Sequence, residues 1–152
     1  MDRKIEGFSV LEILIIIAIL SILMYVGSSQ YINYRLEREL IKQANMLTNE
    51  INWIKSQSIS KEPHGLLINL SSYTIFKDLD GDCNFSNAEI FKSQDFISGI
   101  TATNPQIIVF DRKGYPRNTT CALGMTTITL RNVNNSQKII DISRYGRIQI
   151  RQ

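Results

Sequence analysis

The stretch MDRKIEGFSVLEILIIIAILSILMYVG, residues 1–27, decides how the rest of the chain is read. A short polar leader carrying Arg3 and Lys4 precedes an apolar run, residues 8–27, that holds one acid, Glu12. About twenty such residues make a helix long enough to cross a bilayer. A carboxylate inside it costs roughly 2.5–3.5 kcal/mol on insertion scales, so Glu12 requires a partner. A cut between Gly7 and Phe8 would create one, a new α-amino group that is positive at neutral pH. A secretory signal peptide is built the other way round, with its apolar segment ahead of the cut and lost with it. Here the leader would go and the helix would stay.

Beyond Gly27 the helical pattern continues. Leu36, Leu40, Ala44, Leu47, Ile51, Ile54 and Ser58 recur at steps of three and four, with charged and amide residues on the other faces. No proline occurs before Pro63, so one helix is expected from residue 8 to about 59, roughly 78 Å at 1.5 Å per residue. Gly27, Ser28 and Ser29 are where it would bend or unwind. Trp53 lies beside the stripe and reads as core or sheet interface. Lys61-Glu62-Pro63-His64-Gly65 ends the helix, and short β-type runs follow at 66–70, 73–77, 107–110, 126–131, 138–143 and 147–150. Segments 89–92 and 96–101 are weaker strand candidates. Arg144-Tyr145-Gly146 is a tight connection that makes the last two strands a hairpin. A long N-terminal helix followed by antiparallel strands is an α+β arrangement, and about 120 residues beyond the anchor suffice for one domain. No internal repeat is evident.

Charge is unevenly spread. From residue 105 onward, Arg112, Lys113, Arg117, Arg131, Lys138, Arg144, Arg147 and Arg151 face only Asp111 and Asp141. Residues 8–104 are net acidic. A basic last third points to a polyanion surface, or to a solvated face that keeps the domain soluble.

The arrangement Gly-Phe-Ser-Val-Leu-Glu ahead of an aliphatic run strongly resembles the class III signal of type IV pilins. By position, the resemblance implies Gly7 before the cut of a prepilin peptidase, Phe8 as the N-methylated first residue, and Glu12 as the assembly glutamate. Chain length, the strand-rich domain and the closing Tyr145-Gly146-Arg147-Ile148 resemble the FimT/GspH branch of minor pilins and pseudopilins. The implied organisation is a leader at 1–7, a transmembrane and filament-core helix at 8–27, its amphipathic continuation at 28–60, and a periplasmic β-rich domain at 61–152. The implied partners are other pilin or pseudopilin subunits, the peptidase and an inner-membrane assembly machinery. The chain would sit first in a bacterial inner membrane and then in a filament. Major type IVa pilins close a loop near the C-terminus with two cysteines, whereas Cys83 and Cys121 are wider apart and set back. In an oxidising periplasm they would form a disulfide worth about 2–4 kcal/mol.

Some FimT-like pilins bind DNA for uptake through a C-terminal Gly-Arg-x-Arg motif. This chain reads Gly146-Arg147-Ile148-Gln149-Ile150-Arg151, matching the first arginine and placing Gln149 at the second. Strand alternation would put Arg147, Gln149 and Arg151 on one face, with Arg144 before the turn and Arg112, Lys113 and Arg117 as helpers. Such a stripe suits phosphate oxygens; the plainer reading is a sheet edge guarded by charge. Asp78, Asp80, Asp82, Asn84, Ser86 and Glu89 fall at positions 1, 3, 5, 7, 9 and 12 of an EF-hand-like loop, the spacing of a calcium site. Cys83 stands where that loop has its turn glycine, and no helix follows Glu89, so a plain acidic hairpin loop competes with it. His64, the single histidine, sits in a turn beside a proline and carries no ligand or base pattern. Asn118-Thr119-Thr120 is a glycosylation sequon by pattern only. No nucleophile–base set, phosphate-cradling glycine loop or zinc spacing occurs, so an enzyme is not expected. The resemblance leaves two systems open, a type IV pilus and a type II secretion pseudopilus.

Overall fold

The computed structural model describes residues 9–151, with the side chains of 26–29 left aside. Among the described residues one helix, α1 (Val10–Ser60), comes first. Ser9 caps it: the hydroxyl accepts from the Leu11 N–H at 3.3 Å, and the carbonyl accepts from Glu12 and Ile13 at 3.0 and 3.2 Å. Ser9 followed three residues later by Glu12 has the form of a capping box, with the acid at the positive end of the helix dipole. The chain divides into two compact units, residues 1–35 and Leu36–Gln152. In the first, every side chain described from Val10 to Tyr25 is exposed. That stretch is long and apolar enough to cross a membrane. The unwinding expected at Gly27-Ser28-Ser29 does not occur, and the backbone stays helical through them.

In the second unit Leu40, Ala44, Leu47, Ile51, Ile54 and Ser58 are buried and Leu36 is half-buried, as the three-and-four spacing demands. Each fully buried Leu or Ile contributes about 1.5–3 kcal/mol of transfer free energy. Nine antiparallel strands follow among the described residues: β1 (His64–Ile68), β2 (Ser72–Lys77), β3 (Glu89–Asp95), β4 (Ile100–Ala102), β5 (Gln106–Phe110), β6 (Pro116–Arg117), β7 (Thr126–Asn132), β8 (Gln137–Ile142) and β9 (Ile148–Arg151). They form two sheets, β3-β2-β1-β5-β6 and β4-β7-β8-β9. The helix stripe joins Leu66, Ile68, Tyr73, Ile75, Ile108 and Phe110 of the first and Ile128, Leu130, Ile140 and Ile142 of the second in one core. Ion pairs Lys92–Glu50 and Lys138–Glu37 tie α1 to a strand of each sheet.

The opposite face of the first sheet carries a smaller core of Phe76, Cys83 and Val109, flanked by Leu67, Phe85 and Ile107. The expected disulfide, Cys83–Cys121, lies here with its Cα atoms 5.4 Å apart. Strand boundaries differ from the sequence reading where side chains do not alternate. β1 begins earlier, at His64, because the Phe76 ring lies over Gly65 and replaces the side chain that glycine lacks. β3 is longer than expected and mostly exposed, an edge strand held by register with β2. Segment 96–101 is largely loop, with only β4 paired. Trp53 packs on Phe91 of β3, ring centroids 4.9 Å apart.

The chain does repeat itself, in its turns. Asp111–Tyr115, Asn118–Ala122, Asn132–Ser136 and Ser143–Arg147 are the same five-residue connection. In each, the fourth N–H donates to the first carbonyl and the first N–H to the fifth carbonyl, at 2.8–3.1 Å. The first side chain also accepts from the fifth N–H, at 2.9–3.0 Å, through Asp111, Asn118, Asn132 or Ser143. The fourth residue has positive φ: Gly114 77°, Cys121 57°, Asn135 62° and Gly146 74°. This is the three-residue hairpin loop with a bulge at its left-handed position.

Candidate nucleic-acid interface

Two of these turns meet at one end of the domain, beside the C-terminal end of α1. A Cβ placed on Gly146 would lie 2.2 Å from the Gly114 carbonyl oxygen, so the backbones of the turns after β5 and β8 are in direct contact. Lys55 of α1 donates to the Gly146 carbonyl at 2.7 Å, and a Cβ on Gly114 would meet the Ile59 and Lys55 side chains. Tyr115 and Tyr145 meet edge to face, centroids 6.1 Å apart. This contact brings Arg112 and Lys113 next to Arg144 and Arg147, all four exposed.

The structure sorts the eight cations of the last third. Arg117 grips Asp111 through Nε at 3.0 Å and Nη2 at 2.6 Å, and its Nη1 reaches the Cys121 carbonyl. Arg151 pairs with Asp141, and Lys138 with Glu37 at 3.1 Å. Arg131 faces the Gln137 side-chain amide, whose oxygen accepts from it at 2.8 Å once the amide is turned over. The remaining four, Arg112, Lys113, Arg144 and Arg147, have no side-chain partner among the described residues. They are the four on the two adjoining turns. Both acids of this third are held by an arginine. Burial pushes the Asp111 carboxyl up, but the N–H groups of Tyr115 and Lys113 and the Arg117 guanidinium outweigh it and leave it below its ordinary value. Arg151, with help from the Thr127 hydroxyl, likewise holds Asp141 low.

The expected stripe is therefore rearranged. Gln149 and Arg151 do share a face of β9, with Ile148 and Ile150 on the other, but Asp141 of β8 lies directly across from Gln149 and engages Arg151. Arg147 is not on the strand; it is the fifth residue of the turn. Arg117 is half-buried and locked. The sequence places Tyr145 in the connecting turn but marks no binding role for it, and nothing in the spacing links Tyr115 or Lys55 to this end. The recurring Asp/Ser-x-x-Gly signal could have marked both turns, but not their contact.

The acidic loop after β2 gathers Asp78, Asp80 and Asp82, with oxygens within 4.8 Å of one another. Cys83 does adopt the left-handed turn that glycine would supply there, φ 59°. The six-donor calcium shell is nevertheless not assembled. Both Asp78 oxygens accept backbone N–H groups, from Gly81 and Cys83, and Asn84 accepts from the Phe85 N–H. The Ser86 hydroxyl donates to Asp82. Glu89 sits on β3 opposite Lys77, its carboxylate 4.0 Å from that ammonium. Of the six candidate positions, Asp78, Asp80 and Asp82 lie together, while Asn84, Ser86 and Glu89 engage other protein groups. His64 is buried, its N–H bonded to the Ser58 hydroxyl at 3.0 Å, and burial followed by the charge of Lys61 lowers its pKa. Glu12 lies in the first turn of α1 with its side chain exposed. Gly7 and Phe8, the expected cleavage and methylation site, lie outside the described residues.

No family profile and no characterised protein sequence matches this chain. Solved structures do. The type IV minor pilin FimU of Pseudomonas aeruginosa PAO1 is similar in two crystal forms. One has TM-score 0.60 and 18% identity, covering 76% of this chain and 90% of that one. The other has TM-score 0.58 and 17% identity, covering 74% and 93%. The minor pseudopilin EpsH from the type 2 secretion system of Vibrio cholerae is similar with TM-score 0.57 and 11% identity, covering 74% and 96%. A long N-terminal helix packed on antiparallel sheet is thus, in this chain, the pilin fold that FimU and EpsH also adopt.

Proposed function

We propose that the chain is a minor pilin of a type IV pilus and that its basic end binds DNA. The observation that carries the filament role is an exposed apolar helix with a single acid, Glu12, leading into a pilin-fold domain. After a prepilin peptidase removes residues 1–7 at the inner membrane, Glu12 would pair with the Phe8 amine of a neighbouring subunit. Leaving that carboxylate unpaired in a helix bundle is costly, which sets the register of assembly. Glu12→Leu is expected to insert into membrane normally but to enter filaments poorly. Wild-type incorporation of that variant would remove the role.

The DNA reading rests on four partnerless cations gathered on two touching turns. Four phosphate contacts give a slope of log K against log salt of about −3.6 on duplex. Arg144→Gln with Arg147→Gln should halve that slope in the full chain held in non-ionic detergent, and an unchanged slope would move the surface elsewhere. The likeness to EpsH favours a second reading, a type II secretion pseudopilin. Deletion that abolishes protein secretion and spares DNA uptake would select it.

A further inference from the structure

We propose that the ligand of this end is single-stranded DNA, held by base stacking on Tyr145 as well as by charge; this rests on the DNA reading above. Tyr145 is the third residue of its turn, between Arg144 and Arg147, and 74% of it is exposed. Its ring is the only large apolar surface on the two turns that is left in water, since Tyr115 is half-buried beneath them. The edge-to-face contact with Tyr115 fixes its direction at little entropic cost to a ligand. Charge recognition of a duplex backbone has no use for such a ring, because paired bases hide their faces in the stack. A single strand offers both features at once: phosphates for Arg112, Lys113, Arg144 and Arg147, and an open base for Tyr145. Aromatic platforms flanked by cations are how sequence-tolerant single-strand binding is built. The backbone bonds of the turn, from Ser143 to Gly146 and Arg147, hold the platform without using the Tyr145 side chain.

The test uses the full chain in non-ionic detergent and three labelled oligonucleotides of equal length: an oligo-dT strand, a mixed-sequence duplex, and an abasic strand. Binding is read by anisotropy at low salt. The oligo-dT strand should bind more tightly than the abasic one, and Tyr145→Ala should weaken it by about tenfold while Tyr145→Phe holds within about twofold. Abasic and duplex binding should be unmoved by either variant. Tyr145→Ala also loses the edge contact with Tyr115, so the thermal midpoint of each variant is measured alongside and binding is compared well below it. If all three ligands bind equally, or Tyr145→Ala costs the abasic strand as much as oligo-dT, the stacking proposal is overturned and the DNA reading stands. If dextran sulfate competes as well as oligo-dT, charge alone is read and the proposal also fails. If none of the oligonucleotides binds, the DNA reading itself falls.

Discussion

Replacing Gly146 by alanine tests whether the two basic turns are one unit. The added Cβ would sit 2.2 Å from the Gly114 carbonyl oxygen, a backbone atom that cannot swing aside. The left-handed φ of 74° adds a penalty of about 1–2 kcal/mol for any L side chain. Relieving the clash parts the turns and strains the bond from Lys55 to the Gly146 carbonyl, a charge-assisted bond worth about 1.5–3 kcal/mol. The expected total is about 3–5 kcal/mol. Gly81→Ala is the control: its φ is 73°, yet nothing lies within 4 Å of the new Cβ, so only the backbone penalty of about 1–2 kcal/mol applies. Urea unfolding with the disulfide intact measures both. If the two variants lose the same stability, the turns are not in load-sharing contact and the cluster of four cations is not a fixed surface.

Two further outcomes follow from the same structure. Cys83→Ser with Cys121→Ser should cost about 2–4 kcal/mol and expose the small core around Phe76 and Val109, read as a shift in the urea midpoint equal to that produced by reductant on the wild type. Asp111 has a lowered pKa, so its contribution to stability is full above the ordinary carboxylate range and fades as pH falls through the lowered value. Asp111→Asn should therefore destabilise at neutral pH and converge with the wild type in acid. An equal loss at both pH values would mean the pair with Arg117 is not the source. Asp78, raised mainly by burial, acts in the opposite sense and does not mimic this limb.

Much of the fold was legible because it is periodic. Leu40 to Ser58 repeat at helical spacing, and runs such as Ile107 to Phe110 could be read as strands from their own residues. β3 was legible only over 89–92, as a weaker strand candidate, because most of Glu89-Ile90-Phe91-Lys92-Ser93-Gln94-Asp95 is exposed and shows no buried alternation. β6 is two residues long and begins with proline. The basic end was half legible. Its charge was plain, but which arginines stay free is set by register: β9 pairs with β8 so that Arg151 reaches Asp141, and the turn after β5 lets Arg117 fold back on Asp111. Sequence spacing left the acidic loop open between a calcium site and a plain hairpin loop, and could not show that pairing with β2 sets Glu89 beside Lys77.

The recurrent turn has an evolutionary consequence. The bonds common to all four turns use the backbone and the first side chain, and the conformational demand falls on the fourth residue, so that shared frame does not depend on which side chains stand second and third. Those pairs are Arg112-Lys113, Thr119-Thr120, Val133-Asn134 and Arg144-Tyr145, and every one is exposed. They behave as sockets whose contents can be exchanged while the scaffold is conserved. Selection could thus rewrite the surface chemistry of this end by pairs of residues, from basic and aromatic to neutral, while the bonds shared by all four turns stay in place.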